Sequence, residues 1–345
     1  MNLIKPARLC PGDKVATVSL SWGGAGDSHL LWRYQVGKKR LEEEFGLTVV
    51  EMPHTLKGSE YIYAHPERRA EDLLAAFADK SIRGIISCIG GSDSIRILPY
   101  IDYSIIRENP KVFLGYSDTT VTHLICYQAG LSSFYGASVL AEFAENVAMF
   151  DYTKYWVKKA LFDRSVIGAI EPSPVWASDL SWDEMNKDTR RKTHENTGYE
   201  VLQGRGTAKG RLLGGCIEVL EMLKGTAVWP PAQAWDGAIL FLETSEDKPS
   251  PVYVEYWLRN YGAQGILSRV NGLIFGKPND NAYYEEYKEA IRKVVREELK
   301  LVDLPILYNV NFGHAAPITV LPYGAAAEID CDRGTFQITE AGVSC

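Results

Sequence analysis

An α/β architecture built on a parallel sheet is what this 345-residue sequence predicts, and three observations carry it. Short apolar runs alternate with amphipathic helical patterns through the first 165 residues, the pattern of strand–helix–strand units. Several runs end on glycines or on a single polar side chain, where open parallel sheets keep their sites. The length exceeds one ordinary core and predicts two domains.

The balance of 46% hydrophobic and 23% charged residues is that of a soluble globular chain. A net charge of −7 argues against nucleic acid or an anionic membrane as the main partner. Cys10, Cys88, Cys126, Cys216, Cys331 and Cys345 are scattered without a C-x-x-C pair. Neither a zinc knuckle nor a redox dithiol is signalled, and the usage suits a reducing cytoplasm. The start, MNLIKPARLCPGD, has no apolar h-region, so no signal peptide is expected. No stretch reaches the ~20 apolar residues of a membrane span.

In chain order, Lys14 to Leu20 predicts a first buried strand. The glycine-rich SWGGAGD follows at its carboxyl end. It lacks G-x-G-x-x-G and the P-loop lysine, so it predicts an active-site rim rather than a phosphate cradle. Leu31 to Phe45 predicts a helix, Thr48 to Met52 a strand, Pro66 to Ala78 a helix started by its proline, and Arg83 to Ile89 a strand that stops at Gly90 and Gly91. SDSIRILPYID predicts another helix, Val112 to Leu114 a strand, and Leu131 to Gly136 leads into a further one. This first domain is placed at residues 1–165. Residues 166–206, with WASDLSWDEMNKDTRRKTHENTG, are polar and without a period, and predict a linker that also covers substrate. Trp176 and Trp182 within it would either pack onto a domain or offer a stacking platform. A second domain spans 207–345. GRLLGGCIEVLEMLKGT predicts a glycine turn and a helix, Gly237 to Glu243 a strand ending on a carboxylate, and Pro251 to Tyr261 a helix. Val270 to Phe275 predicts a strand, Tyr284 to Leu299 a charged helix, and Ile306 to Val310 a strand ending at NFGHAAP. The tail predicts a hairpin around Asp332 to Gly334.

The stretch KVFLGYSDTTVTHLICYQAG is strand, sharp turn and helix, with Asp118 or Thr119 as N-cap. That is the setting in which a serine becomes a nucleophile, since the turn lifts its hydroxyl and the helix start offers unpaired N–H groups. Gly115 and Ser117 fit the G-x-S-x-G elbow, while Thr119 stands where the second glycine would be. Ordinary strands also end on such turns. Two other strand ends complete a set: Glu243 after AILFL and His314 after ILYNVNFG. A nucleophilic serine needs a base, and the base needs a carboxylate to hold its tautomer. His123 competes in sequence but lies inside the elbow helix, a structural position. Gly90 and Gly91, with the amide of Asp118, suit an oxyanion hole. The acidic group Glu243, Glu246, Asp247 and Lys248 has no metal-ligand spacing. Lys248 and Lys277 are candidates for holding a substrate carboxylate.

Together, the blocks IGGSDSIRILPYID, FLGYSDTT, GRLLGGCIEVL, AILFLETSED and NFGHAAP resemble the LD-carboxypeptidase family of serine peptidases, in order and spacing from about residue 5 to about residue 340. The resemblance implies a flavodoxin-like N-terminal domain carrying the serine and a smaller mixed α/β C-terminal domain carrying the glutamate and histidine. Carried over by position, Ser117 is the nucleophile, His314 the base and acid, and Glu243 its orienting carboxylate. Amides of Asp118 and the Gly90–Gly91 turn are the oxyanion donors. The family is commonly cytoplasmic, homodimeric and free of cofactors. One branch releases terminal D-alanine from murein tetrapeptides. The other, the microcin C immunity peptidases, cuts the amide between an aspartyl group and a modified adenylate, with a tryptophan of the insert stacked on the base. IGGSDS and the insert place this chain nearer the second, with Trp182 as the stacking ring and Trp176 as the second choice. The substrate is then a peptidyl- or aminoacyl-nucleotide, or a muropeptide. A ligand-binding module without catalysis is the remaining alternative. If His314 is the base, kcat/KM rises with an apparent pKa of about 7.

Overall fold

The computed structural model describes residues 2–345. Five strands open the chain: β1 (Lys14–Val18), β2 (Thr48–Glu51), β3 (Ile82–Ser87), β4 (Val112–Gly115) and β5 (Phe134–Tyr135). They lie parallel in the order β5-β4-β3-β1-β2. The β4 run is apolar throughout and buried at every residue, as a strand covered on both faces must be. Between β2 and β3, the helix Pro66–Ala78 starts on its proline and buries Ala70, Leu73, Ala76 and Phe77 along one stripe.

This strand order has a switch point between β1 and β3, where successive connections leave in opposite directions. The loops after those two strands diverge there and are tied by the Trp22 amide donating to the Gly90 carbonyl at 3.1 Å. A sixth strand comes from far along the chain: Leu321–Pro322 pairs antiparallel with β5. The Tyr323 amide continues the ladder to Ser133 O at 2.8 Å.

The second sheet has eight strands. Its centre is parallel: Thr207–Cys216, Ile239–Glu243, Gly272–Gly276 and Ile306–Val310 lie side by side. Antiparallel strands flank it, Glu200–Gln203 on one side and Ala326–Asp330, Thr335–Ile338 and Gly168–Ala169 on the other. The tail hairpin forms as its turn chemistry predicts. Among the described residues no helix is long and apolar enough to cross a membrane.

Four elements differ from the sequence expectation. GRLLGG is the end of the ten-residue strand Thr207–Cys216, not a turn. Its glycines serve close approach: a Cβ on Gly214 would sit 1.8 Å from Phe241 O of the neighbouring strand. Residues 166–206 are built into the sheet rather than strung between domains. They supply both of its edges and a separate hairpin, Val175–Ala177 with Thr193–Glu195, in strands too short to show a period. Around Pro99 the expected helix becomes a 3₁₀ stretch, Ser94–Tyr100, followed by Tyr103–Glu108, which Asp102 caps by accepting the Ser104 amide. The charged helix is regular over Tyr284–Arg292 and widens into π turns over Lys293–Glu298.

Candidate active site

β4 delivers the chain to a turn in which Ser117 takes φ +64°. A left-handed conformation in a non-glycine residue stores about 1–3 kcal/mol and persists only where its surroundings hold it. Here they do. The Ser117 amide donates to Tyr135 Oη at 3.2 Å, and Thr120 Oγ1 donates to Ser117 O at 2.7 Å. The helix Thr120–Ala129 follows a single 3₁₀ turn. Of the two expected N-caps, Thr119 takes the position but makes no side-chain cap bond, and Asp118 is engaged elsewhere. Its Oδ2 accepts the Ser94 amide and its carbonyl accepts Ser94 Oγ, both at 2.8 Å. That grip ties the elbow to the loop after β3.

His123 braces the elbow from within the helix. Nε2 lies 2.8 Å from Gly115 O and Nδ1 2.8 Å from Ser133 Oγ. A carbonyl only accepts, so Nε2 carries the proton and Nδ1 receives the serine hydroxyl. Burial pushes its pKa down to about 3, so the ring stays neutral.

Gly90 lies directly against the serine. A Cβ there would stand 2.7 Å from Ser117 Cβ, 2.8 Å from Oγ and 3.2 Å from the Asp118 amide nitrogen. Only glycine leaves that space to a substrate. Gly91, next along, lines the same cavity.

Glu243 ends its strand fully buried. One carboxylate oxygen meets His314 Nδ1 at 2.7 Å, and the other accepts the Tyr135 hydroxyl. Tyr135 thus passes a continuous run of hydrogen bonds from the Ser117 amide through Glu243 to His314. Burial, together with the nearby Glu243 charge, holds its phenol well above the usual range, so it remains a donor. On the far side of the imidazole, Nε2 is buried and has no hydrogen-bond partner among the described residues. Glu246 Oε2 stands 2.9 Å from it, off the line of a hydrogen bond. Burial disfavours charge on the ring, but Glu243 and Glu246 outweigh it and raise the pKa well above the ordinary histidine value. Reciprocally, the close approach of the His314 ring holds the Glu246 carboxyl down at about 2.

Ser117, His314, Gly90, Gly91, Trp22 and Trp182 all face one cavity of about 890 Å³. The Trp182 ring has the Arg33 guanidinium 4.9 Å from its centroid and the Trp22 ring 5.7 Å away. Arg33 also donates to Leu140 O and Ser181 O, so it fixes the insert to the first sheet's loops. Lys248 lies on the rim, paired with Asp280 at 2.7 Å. Trp176 does not reach the cavity, contrary to its place as second choice. It stacks on His194 at 4.2 Å, with Lys277 Nζ 4.8 Å from its ring. Lys277 is likewise withdrawn, donating to Asn281 and Asn309. Trp22 lies in the glycine-rich loop expected at the rim of the site, but Tyr135 and Tyr116 carry no motif, and sequence reasoning missed them. A Tyr inside an apolar strand was the only signal for Tyr135. Among the described residues no three His, Cys, Asp or Glu side chains group as metal ligands.

Comparison with known proteins gives a consistent result. Residues 15–136 match the LD-carboxypeptidase N-terminal domain and residues 209–329 the LD-carboxypeptidase C-terminal domain. The microcin C7 self-immunity protein MccF of Escherichia coli is 30% identical over 81% of this chain and 80% of its own length. A solved structure of MccF in complex with aspartyl sulfamoyl adenosine has a TM-score of 0.84 at 26% identity, over 99% of this chain and 100% of that one. An MccF-like protein from Streptococcus pneumoniae, solved in complex with AMP, has a TM-score of 0.88 at 35% identity, covering 95% and 99%. A Bacillus subtilis protein named "Probable murein peptide carboxypeptidase" is 27% identical over 88% of this chain and 85% of its own.

Proposed function

This chain belongs to the LD-carboxypeptidase family, and from that premise we propose that it is a serine carboxypeptidase that hydrolyses an aminoacyl-nucleotide amide through an acyl-enzyme. Ser117 is the nucleophile, His314 the base and acid, and Glu243 the carboxylate that orients it. One observation carries this reading most strongly: the strained Ser117 turn and the Glu243–His314 pair at 2.7 Å face one cavity and are joined through Tyr135.

The chemistry follows from those atoms. With Glu243 accepting Nδ1–H, the neutral ring presents the Nε2 lone pair toward the cavity. Nε2 takes the Ser117 hydroxyl proton as Oγ bonds to the substrate carbonyl carbon, and the negative charge moves to the carbonyl oxygen. Amides of Asp118 and the Gly90–Gly91 turn receive that oxygen. The proton on Nε2 then passes to the leaving nitrogen as the amide breaks. Water repeats the sequence on the ester and restores the serine.

The Trp182 ring is the platform for the nucleobase. Its place in the cavity and the AMP and aspartyl sulfamoyl adenosine complexes of MccF-like relatives support this. Lys248, on the rim, is placed to meet an acidic group of the ligand. For function the chain divides as 1–165, 166–206 and 207–345, the middle piece edging the second sheet and carrying Trp182. The exposed Val252, Tyr253 and Tyr256 on one helix support a homodimer. The scattered cysteines support a reducing cytoplasm.

A second reading, release of D-alanine from murein tetrapeptides, is favoured by the Bacillus subtilis relative. Incubating purified protein with aspartyl sulfamoyl adenosine or with a murein tetrapeptide, and weighing the products by mass spectrometry, separates the two. Aspartate release is expected, and D-alanine release would favour the second. Ser117→Ala should lower turnover by about 10⁴-fold or more and leave the circular dichroism spectrum unchanged. Retained turnover in that variant sinks the nucleophile assignment, and failure of the wild type on both substrates returns the chain to a binding module.

A further inference from the structure

A histidine that is to take a proton from serine must be neutral when substrate arrives. His314 is surrounded for the opposite state. The buried Glu243 carboxylate meets its Nδ1 at 2.7 Å, and Glu246 Oε2 stands 2.9 Å from its Nε2. Its other neighbours are uncharged: the Tyr116 ring, edge-on at 5.0 Å and itself bonded to Glu142, and the Asn279 amide on its carbonyl. Lys248, two residues beyond Glu246, is taken by Asp280. Two carboxylates therefore face one imidazole with no compensating cation among the described residues.

Glu243 has an evident task on the Nδ1 side. Glu246 has none in the triad, and it stands on the edge of the ring that must face the serine. Nor does its side chain hold the fold together: it is exposed at the cavity wall. The turn that carries it is fixed by others, through the Ser245 amide on Glu218 Oε1 at 2.8 Å and the Lys248 amide on Ser245 O at 3.2 Å. A carboxylate carried on a fixed turn beside the reacting atoms, close to Nε2 but misaligned with it, is a site for a cation that the substrate brings.

We propose that Glu246 is a specificity-determining residue that receives an ammonium group on the acyl part of the substrate and thereby frees His314 to act as the base. The inference rests on the reading of Ser117 and His314 given above. In the free protein the imidazolium occupies Glu246. The incoming ammonium neutralises that carboxylate and adds a positive charge beside the ring, and both changes push the Nε2 proton off to solvent. The lone pair is then available to Ser117. The ammonium has two chemical sources, the α-ammonium of an aminoacyl conjugate or the side-chain ammonium of a diamino acid in a muropeptide.

The test has two parts. Histidine ring signals of the full chain are titrated by NMR in the wild type and in Glu246→Gln. The midpoint of His314 should fall by about one pH unit or more in the variant. Proton release is then measured by calorimetry in two buffers of different ionisation heat, using the Ser117→Ala protein so that ligand survives. Aspartyl sulfamoyl adenosine should release about one proton per ligand bound, its N-acetyl derivative none, and Ser117→Ala/Glu246→Gln none with either. A tetrapeptide with a free or acetylated diamino-acid side chain repeats the comparison, and the arm that responds identifies the source. An unmoved midpoint in Glu246→Gln overturns the proposal, as does equal release from free and acetylated ligands or no release from any. Absence of hydrolysis by the wild type overturns the underlying catalytic reading instead. The two failures are distinguishable, because the midpoint shift needs no substrate.

Discussion

The elbow side and the acid–base side of the cavity each bury a histidine, and the two are handled in opposite ways. His123 sits among neutral partners, Gly115 O and Ser133 Oγ, with both ring nitrogens satisfied. Burial then decides its state, and the pKa falls to about 3. His314 is nearly as enclosed, its side chain 6% exposed, but two carboxylates face it and one nitrogen is left without a hydrogen bond among the described residues. Charge overrides burial there, and the pKa rises. Burial alone therefore does not mark a chemical histidine. What marks it is a charged partner on one nitrogen and an unspent lone pair or proton on the other.

The contrast is broken most severely by Glu243→Gln, which removes the orienting charge and should lower kcat/KM by about 10⁴-fold, as loss of a triad carboxylate does. The acid limb of the profile should also move to lower pH, since the main cause of the raised His314 pKa is gone. In the wild type that limb should lie above the ordinary imidazole range, higher than the value near 7 expected from sequence. A wild-type limb at or below the ordinary range would contradict the two-carboxylate picture.

Tyr135→Phe tests the link between the two sides. It deletes the hydroxyl that accepts the Ser117 amide and donates to Glu243. One buried hydrogen-bond pair is worth about 1–3 kcal/mol, so kcat should drop by about 10- to 100-fold with KM little changed. An equal rise in KM with constant kcat would make Tyr135 a binding residue.

The smallest effect sharpens the elbow side. His123 has its pKa lowered by folding, so the unfolded chain takes up the proton first. Stability is then intact above the unfolded value and declines as pH falls from about 6.5 toward 3. The loss attributable to His123 between pH 6.5 and 5.5 should be about 1 kcal/mol. His314 has the reverse sign: its contribution is complete below the unfolded value and fades as pH rises through its raised folded one. Denaturant midpoints across pH, in the wild type and in His123→Gln, measure the acid-side slope. An unchanged slope in the variant would mean that His123 is not its source.

Much of this was legible beforehand because it rests on local pattern. The β4 run, the Gly115–Ser117 turn and the Pro66–Ala78 helix declare themselves within a few residues of chain. Glu243 and His314 were read as partners because one ends an apolar strand and the other closely follows one, and parallel sheets gather such ends at one edge; the fold sets them 2.7 Å apart. What escaped depends on partners far away in sequence. Tyr135 matters only because Glu243 lies 108 residues on. Trp176 and Trp182 share a segment and look alike, yet a short hairpin turns one onto His194 while Arg33 holds the other at the cavity. The GRLLGG glycines signalled a turn, because nothing local tells that Phe241 will press against them.

The pairing of Leu321–Pro322 with β5 also makes the brace of the serine turn depend on a remote part of the chain. Tyr135 lies on that strand, opposite Leu321, and the outer edge of β5 stays open until that distant segment has docked. The serine turn therefore gains its full support only once both sheets have been assembled from both halves of the chain. A form in which Leu321–Pro322 is undocked holds an unfinished site, along with a bare strand edge of the kind that invites aggregation and chaperone capture.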